Sequence, residues 1–379
     1  MKKTIAVFFI LMVLKAVAFA QTSLFPTLAP SSPVPRQPLI PTQQNAAPLF
    51  PTYPTNNTCI IGNTNIRTYA DQLEKSILTE QDSFLAAYKR EQEKQLIPSY
   101  FRETSFQSFI NREQISCAMK RIPYVTQSKK TCASSAENGT YVKQTPCVTD
   151  GVVDYIYWGL NEALRCYGDS IDSFERKIIF KKLNHESAFG FFFQYDGGTG
   201  IAQLIRGTQK NLFHPGNAGF RFLKKHVTNN PRSCENFKKL LARTTQIKNL
   251  KSCEFISMGD GIGRSLLGGI GLYLHYRSDE GNPYNAEKLL AYWGYAKTNT
   301  DQYRQVRSYI TLGMYNKGPG AVLNTIKGSI GKSALRKKTE AEAFNIVMKL
   351  VKRSNFYGYV KAVENSTNSI FDRSGSCKI

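Results

Sequence analysis

The sequence predicts a mainly α-helical protein with a cysteine-containing N-terminal extension, on three observations. From about residue 151 the apolar side chains recur at helical spacing with little strand alternation. The interruptions between these stretches are glycine-rich, without the evenly spaced turns of an all-β chain. Finally, about two hundred residues of this kind are enough for one domain with its own core.

The elements follow in order. Residues 1–20 read as a secretory signal: Lys2-Lys3, an apolar run from Thr4 to Val17 broken only by Lys15, then Ala18-Phe19-Ala20 before Gln21. The run is shorter than the roughly 20 residues of a bilayer span, so cleavage is expected near Gln21 and an uncleaved anchor is the lesser reading. No cysteine follows the cleavage point, which argues against a lipoprotein. Residues 21–58 hold nine of the sixteen prolines and one charged residue, Arg36, so they are expected to form an extended, disordered linker. Residues 59–150 are mixed and polar. Helices are expected within 69–93 and 103–120, and disulfide-pinned loops within 128–151, but no chemistry attaches to the region. It reads either as a small module or as an elaboration of the domain that follows. Asn138-Gly139-Thr140 fits a glycosylation sequon, a short motif that also arises by chance.

In the main domain, residues 151–365, Asp169 or Ser170 can cap a helix running to about Phe189. Further helices are expected at 265–277, 286–295, 302–315 and 340–353, with a C-terminal tail at 366–379. Eight cysteines bound for an oxidising compartment favour disulfides over free thiols. Zinc is the weaker reading, because there is no Cys-x-x-Cys and the four histidines are scattered. Neither a metal nor a cofactor is expected. The pair Cys234 and Cys253, close in sequence, is the best single candidate for a bridge. Gly259-Asp260-Gly261-Ile262-Gly263 has the look of a nucleotide-binding loop. No strand precedes it, however, and no acidic partner follows at the usual distance, so it is read as a helix-flanking loop in an insertion.

The chemistry concentrates around Asn184-His185-Glu186-Ser187-Ala188-Phe189. Leu183 and Ile179 lie three and seven residues before Glu186, so the carboxylate continues the apolar stripe of its helix. Burial there favours the protonated form, as a general acid near neutral pH requires. The run Gly197-Gly198-Thr199-Gly200-Ile201-Ala202-Gln203-Leu204 allows the backbone to turn tightly and approach a ligand. Gln203 and the main-chain groups of Ala202 offer amide donors and acceptors to such a ligand. Tyr315 can stack on a ligand face or donate its hydroxyl, and Asn316 offers both a donor and an acceptor. Gly318-Pro319-Gly320 stiffens the turn beside them. For each of these side chains a purely structural role is the bland alternative. Phe191 to Phe193 are expected to fill the core.

Three segments, Glu186-Ser187-Ala188-Phe189, Gly200-Ile201-Ala202-Gln203-Leu204 and Met314-Tyr315-Asn316-Lys317-Gly318-Pro319-Gly320, stand in the order and rough spacing of one family. Over residues 169–363 the chain resembles the soluble lytic transglycosylases, themselves similar to goose-type lysozyme. Weaker echoes are Gly271-Leu272-Tyr273-Leu274 and Tyr357-Gly358-Tyr359-Val360, which place Tyr359 in the substrate site. The resemblance implies a lysozyme-like domain whose cleft takes peptidoglycan glycan, cut between N-acetylmuramic acid and N-acetylglucosamine. Glu186 is then the single acid and base, and the product carries a 1,6-anhydromuramoyl end.

The chain departs from the family pattern in two places. Ile201-Ala202 replaces a Leu-Met pair, and Phe191 to Asp196 replaces a segment that usually carries a serine. Asp196 offers a second carboxylate, and an inverting hydrolase of the muramidase type would follow if it activates water. A loop aspartate that caps a turn is the preferred alternative. A third reading is a non-catalytic peptidoglycan-binding protein on the same fold.

The formal net charge is +22, or +19 once Lys2, Lys3 and Lys15 leave with the signal. For a secreted or periplasmic chain this points to peptidoglycan stem carboxylates and other anionic envelope polymers as partners, with nucleic acid not expected.

Overall fold

The computed structural model describes residues 83–93, 112–120, 150–190, 194–195, 197–247, 250, 252–255 and 259–369. The signal, the linker, the sequon, Phe191 to Phe193 and Asp196 lie outside the described residues. The described chain is mainly α-helical, as expected. Its helices are α1 (Phe84–Glu93), α2 (Arg112–Lys120), α3 (Asp150–Cys166), α4 (Ser173–Ser187), α5 (Arg206–Phe213), α6 (Ala218–Asn229), α7 (Glu235–Gln246), α8 (Gly261–Ser278), α9 (Ala286–Trp293), α10 (Asp301–Lys317), α11 (Pro319–Ile326), α12 (Glu340–Arg353) and α13 (Tyr357–Asn365). Between α4 and α5 a small antiparallel sheet forms from β1 (Gln194–Tyr195), β2 (Gly198–Thr199) and β3 (Leu204–Ile205), with Tyr195 opposite Gly198 and Thr199 opposite Leu204.

Helix α8 is the axis of the fold. It is apolar nearly all round, every residue but Tyr276 and Ser278 is buried, and α3, α6, α7, α9 and α10 pack around it. A helix without a polar face must be enclosed in this way. It begins earlier than expected: Gly261, Ile262 and Gly263 form its buried first turn instead of a loop. Asp260, just before it, accepts from the Phe84 amide at 2.8 Å and pairs with Arg243 at 2.8 Å and Arg264 at 3.3 Å.

That carboxylate also fixes the N-terminal region. Phe84 packs on Tyr155, Trp158 and Phe237, and Trp158 donates to Glu91 at 2.8 Å. The described parts of residues 59–150 therefore share the main core.

Three expectations need correction. Helix α4 is capped by Asp172, whose extended backbone aims its carboxylate at the Glu175 amide, 2.8 Å away. Ser170 falls instead in a preceding 3-10 turn, Gly168–Ser170. Cys234 pairs with Cys166, not with Cys253: Cys166 ends α3, Cys234 sits at the start of α7, and the two Cα atoms stand 4.6 Å apart. The packing of helices distant in sequence, which spacing along the chain cannot reveal, decided the pairing. Third, the fold runs past residue 365 into a turn at Ser366–Ser369, where Ser366 donates to the Lys181 carbonyl at 2.8 Å and its own carbonyl accepts from Asn184 at 2.9 Å.

A buried ion network ties the C-terminal helices to α4. Glu175, 1% exposed, receives Arg307 at 3.0 Å and also Arg277, while Arg307 reaches Glu287 at 2.8 Å. Burial pushes the Glu175 carboxyl up and the two guanidinium groups pull it back. Such a cluster holds α4, α8, α9 and α10 in register, because each charge needs its partners once out of water.

Candidate active site

Helix α4 delivers Glu186 in its last turn and then stops abruptly. Ala188 and Phe189 both take left-handed backbone, with φ of 48° and 62°. Two consecutive non-glycine residues in that region are strained. The strain is held in place by burial: Phe189 has no exposed surface and packs on Phe180, ring centroids 5.0 Å apart. The chain therefore leaves the helix immediately beyond the carboxylate.

Behind Glu186 the glycine-rich loop is locked. Ser187 Oγ donates to the Ile201 carbonyl at 2.8 Å, and the Ala202 amide donates to Ser265 Oγ of α8 at 3.0 Å. Gly200, at φ 73°, must be glycine on two counts, since a Cβ there would stand 2.6 Å from the Phe255 carbonyl oxygen. Gln209 secures the far strand, donating to Thr199 Oγ1 and the Leu204 carbonyl, each at 2.6 Å.

Ala202 has no exposed surface and presses on α8, where a Cβ on Gly269 would come within 2.3 Å of its own. This corrects its expected role. Its amide is engaged by Ser265 and its carbonyl accepts from Tyr315 at 2.7 Å, so its main chain is inside the protein and does not face a ligand. The contact is close enough that the Ala202 methyl leaves no room for a Cβ on Gly269.

Around Glu186 three side chains converge. Tyr359, from α13, donates its hydroxyl to Glu186 Oε1. The His185 ring meets the Tyr359 ring edge-on at 5.3 Å. One turn back, Lys182 is 1% exposed and holds Nζ 3.5 Å from the centre of the Tyr315 ring.

These contacts set the local electrostatics. Burial pushes the Glu186 carboxyl up, while the Lys182 ammonium and the Tyr359 hydroxyl work against that rise. Burial carries Lys182 down to about 8, against the pull of Glu186. His185 is lowered by burial and then by Lys182, and Tyr315 and Tyr359 are raised by burial and then by Glu186. The resulting site sets a carboxyl of raised proton affinity beside a hydroxyl donor, among aromatic rings.

The remaining predicted residues are placed as follows. Gln203 follows Ala202 in a left-handed conformation, φ 49°, and donates Nε2 to the Gly200 carbonyl at 2.7 Å. Asn316 is exposed near the end of α10, next to Tyr315, and Gly318 ends that helix at φ 80° before Pro319 opens α11. Glu186, Tyr359, Tyr315, Ala202 and Gln203 are thus linked through contacts or chain continuity, and Asn316 lies at the edge. The expected stacking or donating role of Tyr315 is altered, since its hydroxyl is bonded to Ala202 and one ring face carries Lys182.

Sequence reasoning missed Lys182, His185 and Ser265. Lys182 stands four residues before Glu186 and so shares its helix face. A lysine inside that otherwise apolar stripe was the available signal. Among the described residues no group of three or more His, Cys, Asp or Glu is placed to hold a metal ion. No protein-family model, curated protein or solved structure matches the chain.

Proposed function

We propose that the protein is a secreted or periplasmic peptidoglycan-cleaving enzyme, a lytic transglycosylase on a lysozyme-like fold, with Glu186 as acid and base. The observation that carries the reading is the helix-end carboxyl: half-buried, its proton affinity raised by desolvation, held by Tyr359, and backed by a locked glycine-rich loop that ends in Gln203.

The steps follow from that group. Glu186 gives its proton to the glycosidic oxygen as the bond from that oxygen to the muramoyl anomeric carbon breaks. The carboxylate left behind takes the proton of the muramoyl 6-hydroxyl as O6 bonds to the anomeric carbon. No water is consumed. One carboxyl serves both steps because they are sequential, and the substrate's own acetamido group supports the cationic centre between them. Gln203 and Asn316 would bind sugar amides, and the basic surface would attract the acidic wall.

Digestion of purified sacculi followed by mass spectrometry tests this. Anhydromuramoyl ends are expected, with Glu186→Gln lowering the rate by about 10²- to 10⁴-fold. Reducing ends would make the protein a hydrolytic muramidase. An inactive wild type that still sediments with sacculi would make it a binding protein.

A further inference from the structure

We infer that Lys182 is a positioning residue for the reaction proposed above: its buried ammonium, held over the Tyr315 ring one helical turn before Glu186, is the internal counter-charge that Glu186 meets whenever it gives up its proton. The inference rests on that reading of Glu186 for its catalytic meaning. The placement of the two side chains, four residues apart on one helix face, does not depend on it.

The geometry has three parts. Lys182 Nζ is buried and makes no hydrogen bond. A lysine kept to brace the fold would be expected to use its donors on carbonyl or carboxylate oxygens, because an unsatisfied buried ammonium is costly. Its neighbour shows the contrast, since Lys181 Nζ donates to the Glu364 carbonyl at 2.7 Å. Second, the charge is steered. With Nζ 3.5 Å from the Tyr315 ring centre, the π face holds the ammonium from one side, while the Tyr315 hydroxyl is anchored to Ala202 at 2.7 Å. Third, Lys182 and Glu186 are four residues apart on one helix and therefore share a face.

The groups that face the pair leave Lys182 as the source of positive charge. His185 lies on the same helix, Tyr359 on α13, Tyr315 on α10, and Tyr276 of α8 acts on Tyr315. Burial and Lys182 itself hold His185 toward its neutral form, and the three phenols bring no cation. A carboxylate formed here without Lys182 would be a half-buried charge that keeps the Tyr359 hydroxyl and loses its counter-charge. With it, Glu186 becomes a stronger acid in the first step and a tolerated anion before the second.

The test compares wild type, Lys182→Met and Lys182→Arg by carboxyl-carbon NMR titration, with Glu186→Gln assigning the Glu186 signal. Lysine to methionine removes the charge and keeps an unbranched chain, so the fold is expected to persist. The Glu186 midpoint should rise by about one pH unit or more in Lys182→Met and return to within a few tenths of wild type in Lys182→Arg. The basic limb of kcat/KM on sacculi should move up by the same interval in the methionine variant alone. If Lys182→Met does not fold, the reciprocal measurement decides: the Lys182 ammonium, titrating at about 8 in wild type, should titrate lower in Glu186→Gln. An unmoved midpoint in either direction overturns the inference. Because the titrations need no substrate, a shifted midpoint in a protein that leaves sacculi intact would sink the enzymatic reading and keep the coupling.

Discussion

Tyr359 and Glu186 form the contact on which the site turns. A phenol that donates to a carboxylate favours the charged form, so it opposes the burial that pushes the carboxyl up. Removing the hydroxyl in Tyr359→Phe therefore raises the proton affinity of Glu186. The protonated form then persists to higher pH, and the basic limb of kcat/KM should move upward. The orienting bond is lost as well, so the maximum should fall about tenfold, the effect of about 1.4 kcal/mol from one hydrogen bond. A pH profile on sacculi checks both. At this scale Glu186 and Tyr359 were legible because each lies in a recognisable local pattern. Lys182 was passed over, although its spacing of four residues from Glu186 puts it in the apolar stripe. The closure of Ala202 was not legible, because nothing in Ile201-Ala202-Gln203 announces that Gly269 will stand beneath it.

Helix α8 and the glycine-rich loop meet at that contact. Gly269→Ala would place a methyl group 2.3 Å from the Ala202 Cβ, with backbone on both sides to resist movement. Overpacking of this kind costs about 1–3 kcal/mol, and here it should also shift the Ser265 and Tyr315 bonds that hold the loop. Urea denaturation should show the loss, and sacculus cleavage should fall further than the stability change explains. Among the elements, α9, α10 and α12 were read within a few residues, because each carries a clear apolar stripe and a capping residue: Asn285, Thr300 and Thr339. Helices α5, α6 and α7 were not singled out. They run 8, 12 and 12 residues, are crowded with lysine, arginine and asparagine, and are separated by His214-Pro215-Gly216 and by Pro231. Short polar helices of this kind draw their stability from α8 and not from their own sequence.

On the scale of the whole molecule, the Cys166–Cys234 bridge closes a separation of 68 residues that includes α4, the small sheet and α6. Cross-links over long stretches restrict the unfolded chain most. Replacing both cysteines by serine is expected to lower the unfolding free energy by about 2–5 kcal/mol, measured by guanidinium denaturation under non-reducing conditions. The mainly α class was legible from periodicity, whereas the bridge was not, since it depends on where α3 and α7 meet. The abrupt end of α4 carries a last consequence. Backbone dipoles in a helix sum to partial negative charge at its C-terminus, and Glu186 sits in that final turn. The helix itself thus repels the anion form of its own acid. Proton release at Glu186 has to work against the backbone as well as against burial, which is why a cation one turn upstream is worth keeping in so dry a place.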